Sequence, residues 1–329
     1  YPEAEIKSHL PFIRALDRFL TELTEEALNL SDITDPDLGV VLSLESMLEA
    51  RSYHPEGSLY QFENHLNERI LSRLKFLCTE RSSDFKKAKR QAFRKYFDSS
   101  VRKWTVPGLY LAFLTELEEQ DSSLDFSATK AGVSKGKTDV YDAAAFGLIY
   151  RRIFQKQDQD VFSQIFIDEA QDFGETVYYV LKQMLHDCYF TIMGDVSQNI
   201  RYETGMNDWE QLKEAMFDSP KDSFYLLLKS YRNTIEISRF AGQVLQRASQ
   251  VGYQIDPVIR HGQPVSILQA EPSGLFYQLQ ETLRHVREKK FETIAVICRD
   301  ETAAFRVNEA LSSELSLADS RLETAEFTE

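Results

Sequence analysis

Ile165-Phe166-Ile167-Asp168-Glu169-Ala170-Gln171-Asp172 is the stretch on which the chain turns. Leading into it, the apolar run 161–167 is broken only by Ser163 and Gln164, and it stops at two adjacent carboxylates. A buried parallel strand reads this way when its carboxyl end opens into a ligand crevice. Two neighbouring acids at such an end can play distinct parts, one holding Mg²⁺ through its water shell and the other polarising a water that attacks a phosphate. Taken alone, the pair is more often a plain polar turn after a strand, so the sequence around it has to decide.

From residue 161 onward the pattern alternates between strand and helix. Strands are expected at 161–167, 188–193, 224–228, 265–268 and 294–297, and amphipathic helices at 175–185, 209–216, 235–247, 275–287 and 302–311. Such alternation predicts an α/β fold with a parallel sheet covered on both faces. The second strand ends at Gly194-Asp195-Val196-Ser197-Gln198-Asn199-Ile200, where Gly194 permits a tight exit and Gln198 offers an amide able to meet a phosphate oxygen or the attacking water. The third ends at Lys229-Ser230-Tyr231-Arg232-Asn233-Thr234, which starts a helix and carries a guanidinium suited to charge developing on a phosphoryl group. A strand-end Gln or Arg is ordinarily structural. Acids, Gln and Arg on three successive strand ends make a shared crevice the better reading.

The first ~130 residues read as helical. Leu10, Ile13, Leu16, Leu20, Leu23 and Ala27 recur at three- and four-residue steps, as do Leu59, Phe62, Leu66, Ile70, Leu74 and Leu77. Asp84 is placed to cap a basic helix running to about Phe97, and Pro107 to open another at its first turn. Asp35-Pro36-Asp37 and His54-Pro55-Glu56-Gly57 are turn signals. No period-two alternation of useful length occurs here, so a helical bundle or arm is expected, its aromatics serving as core. Between arm and strands, 120–138 reads as a polar loop. Within it Ala131-Gly132-Val133-Ser134-Lys135-Gly136-Lys137-Thr138 imitates a phosphate-cradling glycine loop, with Ala in place of the first Gly. Such a loop needs a strand before it, and 122–130 is polar, so a surface loop is expected.

Composition narrows the class. In 329 residues, 43% hydrophobic and 27% charged, there is material for two or three domains with sizeable cores. No apolar run is long enough for a membrane helix and Tyr1 to Leu10 lacks a signal-peptide pattern, so the expectation is a cytoplasmic protein with no membrane partner. Cys78, Cys188 and Cys298 are too scattered to suggest a disulfide framework or a zinc site. The net charge of −14 argues against general polyanion binding but hides a division. Residues 1–68 carry 14 acids and 4 bases, whereas 69–103 carry 12 bases and 3 acids. A chain so polarised either has two partner-facing surfaces or folds one charge onto the other.

The order Ile-Asp-Glu-Ala-Gln-Asp at 167–172, Gly-Asp-Val-Ser-Gln-Asn-Ile at 194–200 and Ser-Tyr-Arg-Asn-Thr at 230–234 resembles motifs II, III and IV of superfamily 1 helicases of the UvrD/Rep type. The run 141–150 leading through Arg151-Arg152-Ile153, and Gly205-Met206-Asn207-Asp208-Trp209-Glu210 after motif III, are similar to the HelD branch, helicase-like ATPases that release stalled RNA polymerase. The resemblance covers about 140–329. It implies a RecA-like P-loop NTPase sheet with a large helical N-terminal insertion and part of a second RecA-like domain, divided as 1–130, 131–231 and 232–329. It also implies ATP and Mg²⁺ as cofactors. Asp168 would hold the metal together with Glu169, and Glu169 would be the general base. Gln171 would couple nucleotide state to the motor, Gln198 would contact the γ-phosphate, and Arg232 would be the arginine finger.

The family's Walker A loop would lie upstream of Tyr1 and its motifs V and VI beyond Glu329, so the chain is expected to be the middle of a longer protein, inactive by itself. Where DNA translocases of the UvrD type carry an aromatic-plus-Arg cluster after motif III, this chain has Arg201-Tyr202-Glu203-Thr204, and Glu203 would repel a phosphate backbone. The expectation is therefore a polymerase-directed motor that levers its helical arm. Acidic helices would meet a basic polymerase channel, and the basic helix would meet nucleic acid or an acidic polymerase surface. The alternatives are a helicase moving on single-stranded DNA, and a binding module without catalysis. The four retained groups Asp168, Glu169, Gln198 and Arg232 speak against the last of these.

Overall fold

Apolar residues at helical spacing set the first packing surface, and the chain builds on it in order. The computed structural model describes residues 2–53, 57–97, 101–156, 162–185, 188–217, 219–247, 256–271, 273–289 and 293–315. Of the features expected above, His54, Pro55 and Glu56 of a turn and Val161 of a strand lie outside these residues. The fold is mixed α/β and mostly helical, with three two-stranded sheets among the described residues. Two compact units can be distinguished: Tyr1–Leu227 with Leu245–Tyr253, and Leu228–Val244 with Gln254–Glu329. Among the described residues no helix is long and apolar enough to cross a membrane.

The first unit begins with α1 (Pro2–Ser8) and α2 (Leu10–Leu28). Helix α2 buries Leu10, Ile13, Leu16 and Leu20 as their spacing requires, and Asn29 ends it in the left-handed region at φ 34°. An unexpected antiparallel hairpin follows, β1 (Ile33–Asp35) with β2 (Gly39–Leu42). The Asp35-Pro36-Asp37 signal is its turn: the Asp37 N–H donates to Asp35 Oδ1 at 2.9 Å, and Gly39 supplies a φ of +73°. Strands of three and four residues are too short to display an alternation. After α3 (Leu44–Tyr53), helix α4 (Leu59–Leu77) is opened by a reciprocal Ser58–Gln61 cap and buries Leu59, Phe62, Leu66, Ile70 and Leu74.

Helix α5 (Ser83–Ala92) is shorter than expected and is capped by Ser82, whose side chain accepts from the Phe85 N–H, not by Asp84. It ends where Phe93 turns inward, and Lys95 at φ 59° keeps the chain from resuming the helix. Helix α6 (Val106–Gln120) is capped by Thr105 with Pro107 in its first turn, as read from the sequence.

The expected loop at 120–138 instead contains α7 (Ser127–Ser134). Its closing turn returns the N–H groups of Lys135 and Lys137 to Gly132 O and that of Gly136 to Val133 O, all at 2.9–3.0 Å. Those N–H groups are committed to ending a helix, and no strand precedes them, so the glycine-rich imitation cannot cradle a phosphate. Helix α8 (Val140–Ile149), capped by Asp139, runs into a π-turn at Tyr150–Phe154.

Next come β3 (Gln164–Ile167), α9 (Glu175–Met184), β4 (Tyr189–Ile192) and α10 (Trp209–Met216). Strands β3 and β4 pair in parallel from Gln164↔Tyr189 to Ile167↔Ile192. Ile167, Phe190 and Ile192 pack on the core while Phe166 and Tyr189 are 66% and 79% exposed, so among the described residues this sheet is covered on one face and not on both. One buried cluster extends from Leu10 to Met216, with Phe12 edge-on to Phe113 at 5.4 Å between centroids. The N-terminal helices and the segment bearing the strand ends are thus built on one core, where each fully buried Leu or Ile contributes about 1.5–3 kcal/mol.

The second unit contains β5 (Lys229–Ser230), most of α11 (Ile235–Arg247), β6 (Asp256–Pro257), α12 (Leu275–Glu288) and α13 (Glu301–Leu315). Its helices fall where expected, but 265–268 and 294–297, like 224–228 where the first unit gives way to the second, are not strands. Several of their apolar side chains stand in the open, Leu227 and Ile297 each 94% exposed, while Phe224 packs on Trp209. A strand exists only where a second backbone takes its N–H and C=O groups, and none does so here among the described residues.

Candidate functional site

The ladder between β3 and β4 continues one step past both strands. Met193 N–H donates to Ile167 O at 2.8 Å, and Ala170 N–H to Met193 O at 2.9 Å. This sets Asp168-Glu169 beside Gly194-Asp195 at the carboxyl ends of neighbouring parallel strands, the place where an open α/β sheet holds its ligands. Glu169 is held in the left-handed region (φ 52°, ψ 43°), a rare conformation for a residue with a side chain. The turn at Ala170–Asp172 that follows is anchored by the buried Tyr178 hydroxyl, which donates to Ala170 O at 2.5 Å.

Gln171 connects the two strand ends. Only 2% exposed, its amide donates from Nε2 to Glu169 Oε2 at 2.7 Å and accepts at Oε1 from the Asp195 N–H at 2.9 Å. Its backbone carbonyl accepts from Met206 N–H at 2.9 Å. Glycines make the close approach possible. A Cβ on Gly194 would stand 2.6 Å from Gln171 Oε1, and one on Gly205 would strike Gln171 O. Asp195 in turn caps the short turn Val196–Gln198, accepting from Ser197 N–H and Oγ at 3.0 and 2.5 Å and from Gln198 Nε2 at 2.8 Å. Partial burial works to raise the Asp195 carboxyl, but the hydrogen bonds from Ser197 and Gln198 outweigh it and hold the group below the usual carboxylate range.

A chain of contacts therefore runs Glu169–Gln171–Asp195–Gln198, with Asp168 beside it. Asp168 and Glu169 are exposed. Asp168 Oδ1 takes the Glu169 N–H at 2.9 Å, and among the described residues its Oδ2 accepts no hydrogen bond. Hard carboxylate oxygens in the open suit Mg²⁺, which keeps several waters and takes phosphate oxygens in place of an all-protein cage. Among the described residues no group of three or more His, Cys, Asp or Glu gathers as a metal cage.

Arg232 belongs to the second unit. It follows β5, and its carbonyl accepts from Arg260 Nη1 at 3.4 Å. Nearby, Glu236 accepts from His261 Nδ1 at 3.0 Å and from Gly262 N–H at 2.9 Å, and the His261 hydrogen bond is the main reason its carboxyl drops to about 2. The geometry thus groups Asp168, Glu169, Gln171 and Gln198 in one unit, with Arg232 in the other.

Two contributors escaped the sequence reading. One is Asp195 as the link between Gln171 and Gln198, signalled only by an Asp two positions before a Ser at a strand end. The other is Tyr141, whose hydroxyl donates to Thr204 O at 2.7 Å and accepts from Gly174 N–H at 3.3 Å, fastening α8 to the loops on either side of the site. Nothing in the sequence near Tyr141 signals this, because both partners are more than 30 residues away. No family model matches the chain, and a search of curated proteins gives no match either.

Proposed function

We propose that this chain is part of an ATP-dependent, superfamily 1 helicase-like motor with RecA-like lobes, of the HelD kind, acting on RNA polymerase. The observation that carries the reading is the Gln171 bridge, a buried amide spanning the ends of two adjacent parallel strands between an acid pair and a polar turn. A purely structural turn has no need to hold an exposed carboxylate in a strained backbone position and brace it from a neighbouring strand. Bound Mg²⁺ would neutralise phosphate charge beside Asp168. Glu169, braced by Gln171, would orient and deprotonate the attacking water. The amide of Gln198 would leave Asp195 to meet the γ-phosphate, so that nucleotide state is passed through Asp195 and Gln171 to the strand ends. Arg232 would act from the second lobe on charge developing in transfer.

Glu203 stands exposed beside Arg201 and Tyr202, which weighs against a phosphate backbone lying there and favours a protein target. The test is ATP turnover by the full-length protein, alone, with single-stranded DNA and with core RNA polymerase. Stimulation by polymerase is expected. Stimulation by DNA alone would assign the chain to the DNA-translocating kind, and no turnover under any condition would leave a binding module. Glu169→Gln is expected to lower turnover by at least about 10²-fold with nucleotide binding retained, as removal of a general base does. Turnover that survives this substitution would remove Glu169 from the role.

A further inference from the structure

Helix α5 has a strongly amphipathic sequence, yet none of its own residues is buried. It is nevertheless held in place. Lys89 reaches the hairpin, with Nζ 2.7 Å from both Asp35 carboxylate oxygens and 2.6 Å from Asp37 Oδ2. Lys86 Nζ donates to Thr79 O at 2.9 Å. Beyond its end, Asn67 on α4 exchanges hydrogen bonds with the Phe97 backbone at 2.8 and 3.0 Å. Between α4 and α5 this leaves a groove of about 440 Å³, lined by Leu71, Leu74 and Cys78 on the apolar side and by Lys75, Lys86, Lys87 and Arg90. No carboxylate lines it, and Lys75, Lys87 and Arg90 form no ion pair among the described residues. Lys89, which does not line the groove, is the cation that neutralises the hairpin acids. Lys75, Lys87 and Arg90 are thus surplus to the fold's ion pairs, and Lys86 is held only by a neutral carbonyl.

We propose that the α4–α5 groove is a docking site for an acidic segment of a partner protein that carries an apolar anchor residue. Charge complementarity selects the sign of the occupant: four cations around one opening, with no acid among them, attract carboxylates and repel basic partners. The floor selects its kind. Leu71, Leu74 and Cys78 can bury an aliphatic or aromatic side chain, whereas single-stranded nucleic acid binds through aromatic platforms, and no aromatic residue lines this groove. The groove lies outside residues 168–198.

The test uses the full-length protein and fluorescence anisotropy with a labelled peptide of about ten residues, Glu- and Asp-rich around a central Leu-Phe pair. Comparison probes are the same peptide with Ser-Ser at the centre and a single-stranded RNA of equal charge. The anchored peptide is expected to bind at least about tenfold more tightly than either comparison probe, and the combined substitution Lys87→Glu and Arg90→Glu to weaken it by at least about tenfold. Both residues are exposed and outside the fold's ion pairs, so the circular dichroism of the variant should be unchanged. Equal binding of the anchored and Ser-Ser peptides, tighter binding of the RNA, undiminished binding by the double variant, or no binding of the anchored peptide would each overturn the proposal.

Discussion

Gln171 carries three obligations in one buried side chain and its carbonyl: bracing Glu169, satisfying the Asp195 N–H, and receiving Met206 N–H. Replacing it with Leu keeps the volume and removes both amide contacts. The Asp195 N–H then loses its partner in a part-buried setting, at a cost of about 1–3 kcal/mol. Glu169 loses the contact that aims it, and if it is the base proposed above its misplacement costs about 10²-fold in rate. Gln171→Leu is therefore expected to lower both the urea midpoint of this chain and the ATP turnover of the full-length protein. If stability falls and turnover does not, Gln171 is a structural strut and the coupling role assigned to it fails. The placement of Asp168, Glu169 and Gln198 after the ends of two strands was readable because polar clusters stand out against apolar runs. The linkage was not, since the Gln171–Asp195 contact joins residues 24 apart and rests on two glycines whose closeness to Gln171 only the fold reveals.

The start of α9 is bound to the start of α2 through Glu175, whose Oε2 accepts from Leu10 N–H at 2.7 Å while Oε1 lies 3.3 Å from His9 Nδ1. Thr176 adds bonds from its hydroxyl to Lys7 O and His9 O at 2.8 and 3.1 Å. The hydrogen bond to Glu175 raises the His9 imidazole above its ordinary 6.5, against burial, which works to lower it. A raised value in the folded state means that protonated His9 stabilises the fold fully below about pH 6.5 and that the contribution is lost as pH rises through the folded value. The ring is more than one-third exposed, so solvent screening keeps the effect small. The melting temperature is expected to fall by at most about 2–4 °C between pH 6 and 8, and His9→Gln to flatten that slope. A slope unchanged in the variant would place its origin elsewhere. Helices α2, α4, α10 and α11 were visible in the sequence because each repeats apolar residues at one spacing over two or more turns. Helix α7 was not: Asp125 caps the Ser127 N–H locally, but the next two N–H groups, of Ala128 and Thr129, are taken by Glu3 at 2.9 and 2.7 Å, across 125 residues of chain or more.

The two units differ in how much apolar surface they remove from water. In the first, α2, α4 and α8 each place several residues in one buried cluster. In the second, neither α11 nor α12 buries a single residue, and the apolar stretches 265–268 and 294–297 are exposed without ladder partners. The alternation of strand and helix patterns in this half was legible from residues such as Ile267 and Ile297. Which backbone each stretch pairs with is a non-local question that a period of two does not answer. Local opening free energies follow buried contact, from near zero for open segments to the global value for core helices. Amide hydrogen exchange in this chain should therefore be slow in α2, α4 and α8 and faster by several orders of magnitude in α11 and α12. A hydrophobic dye should bind the native chain and bind less once the second unit is removed, because residues 265–268 and 294–297 supply apolar surface that no element among the described residues covers. Equally slow exchange in both units would show that the second unit's extended stretches are paired into a sheet in solution. The covered α/β layer expected from the sequence would then be the correct description of that half.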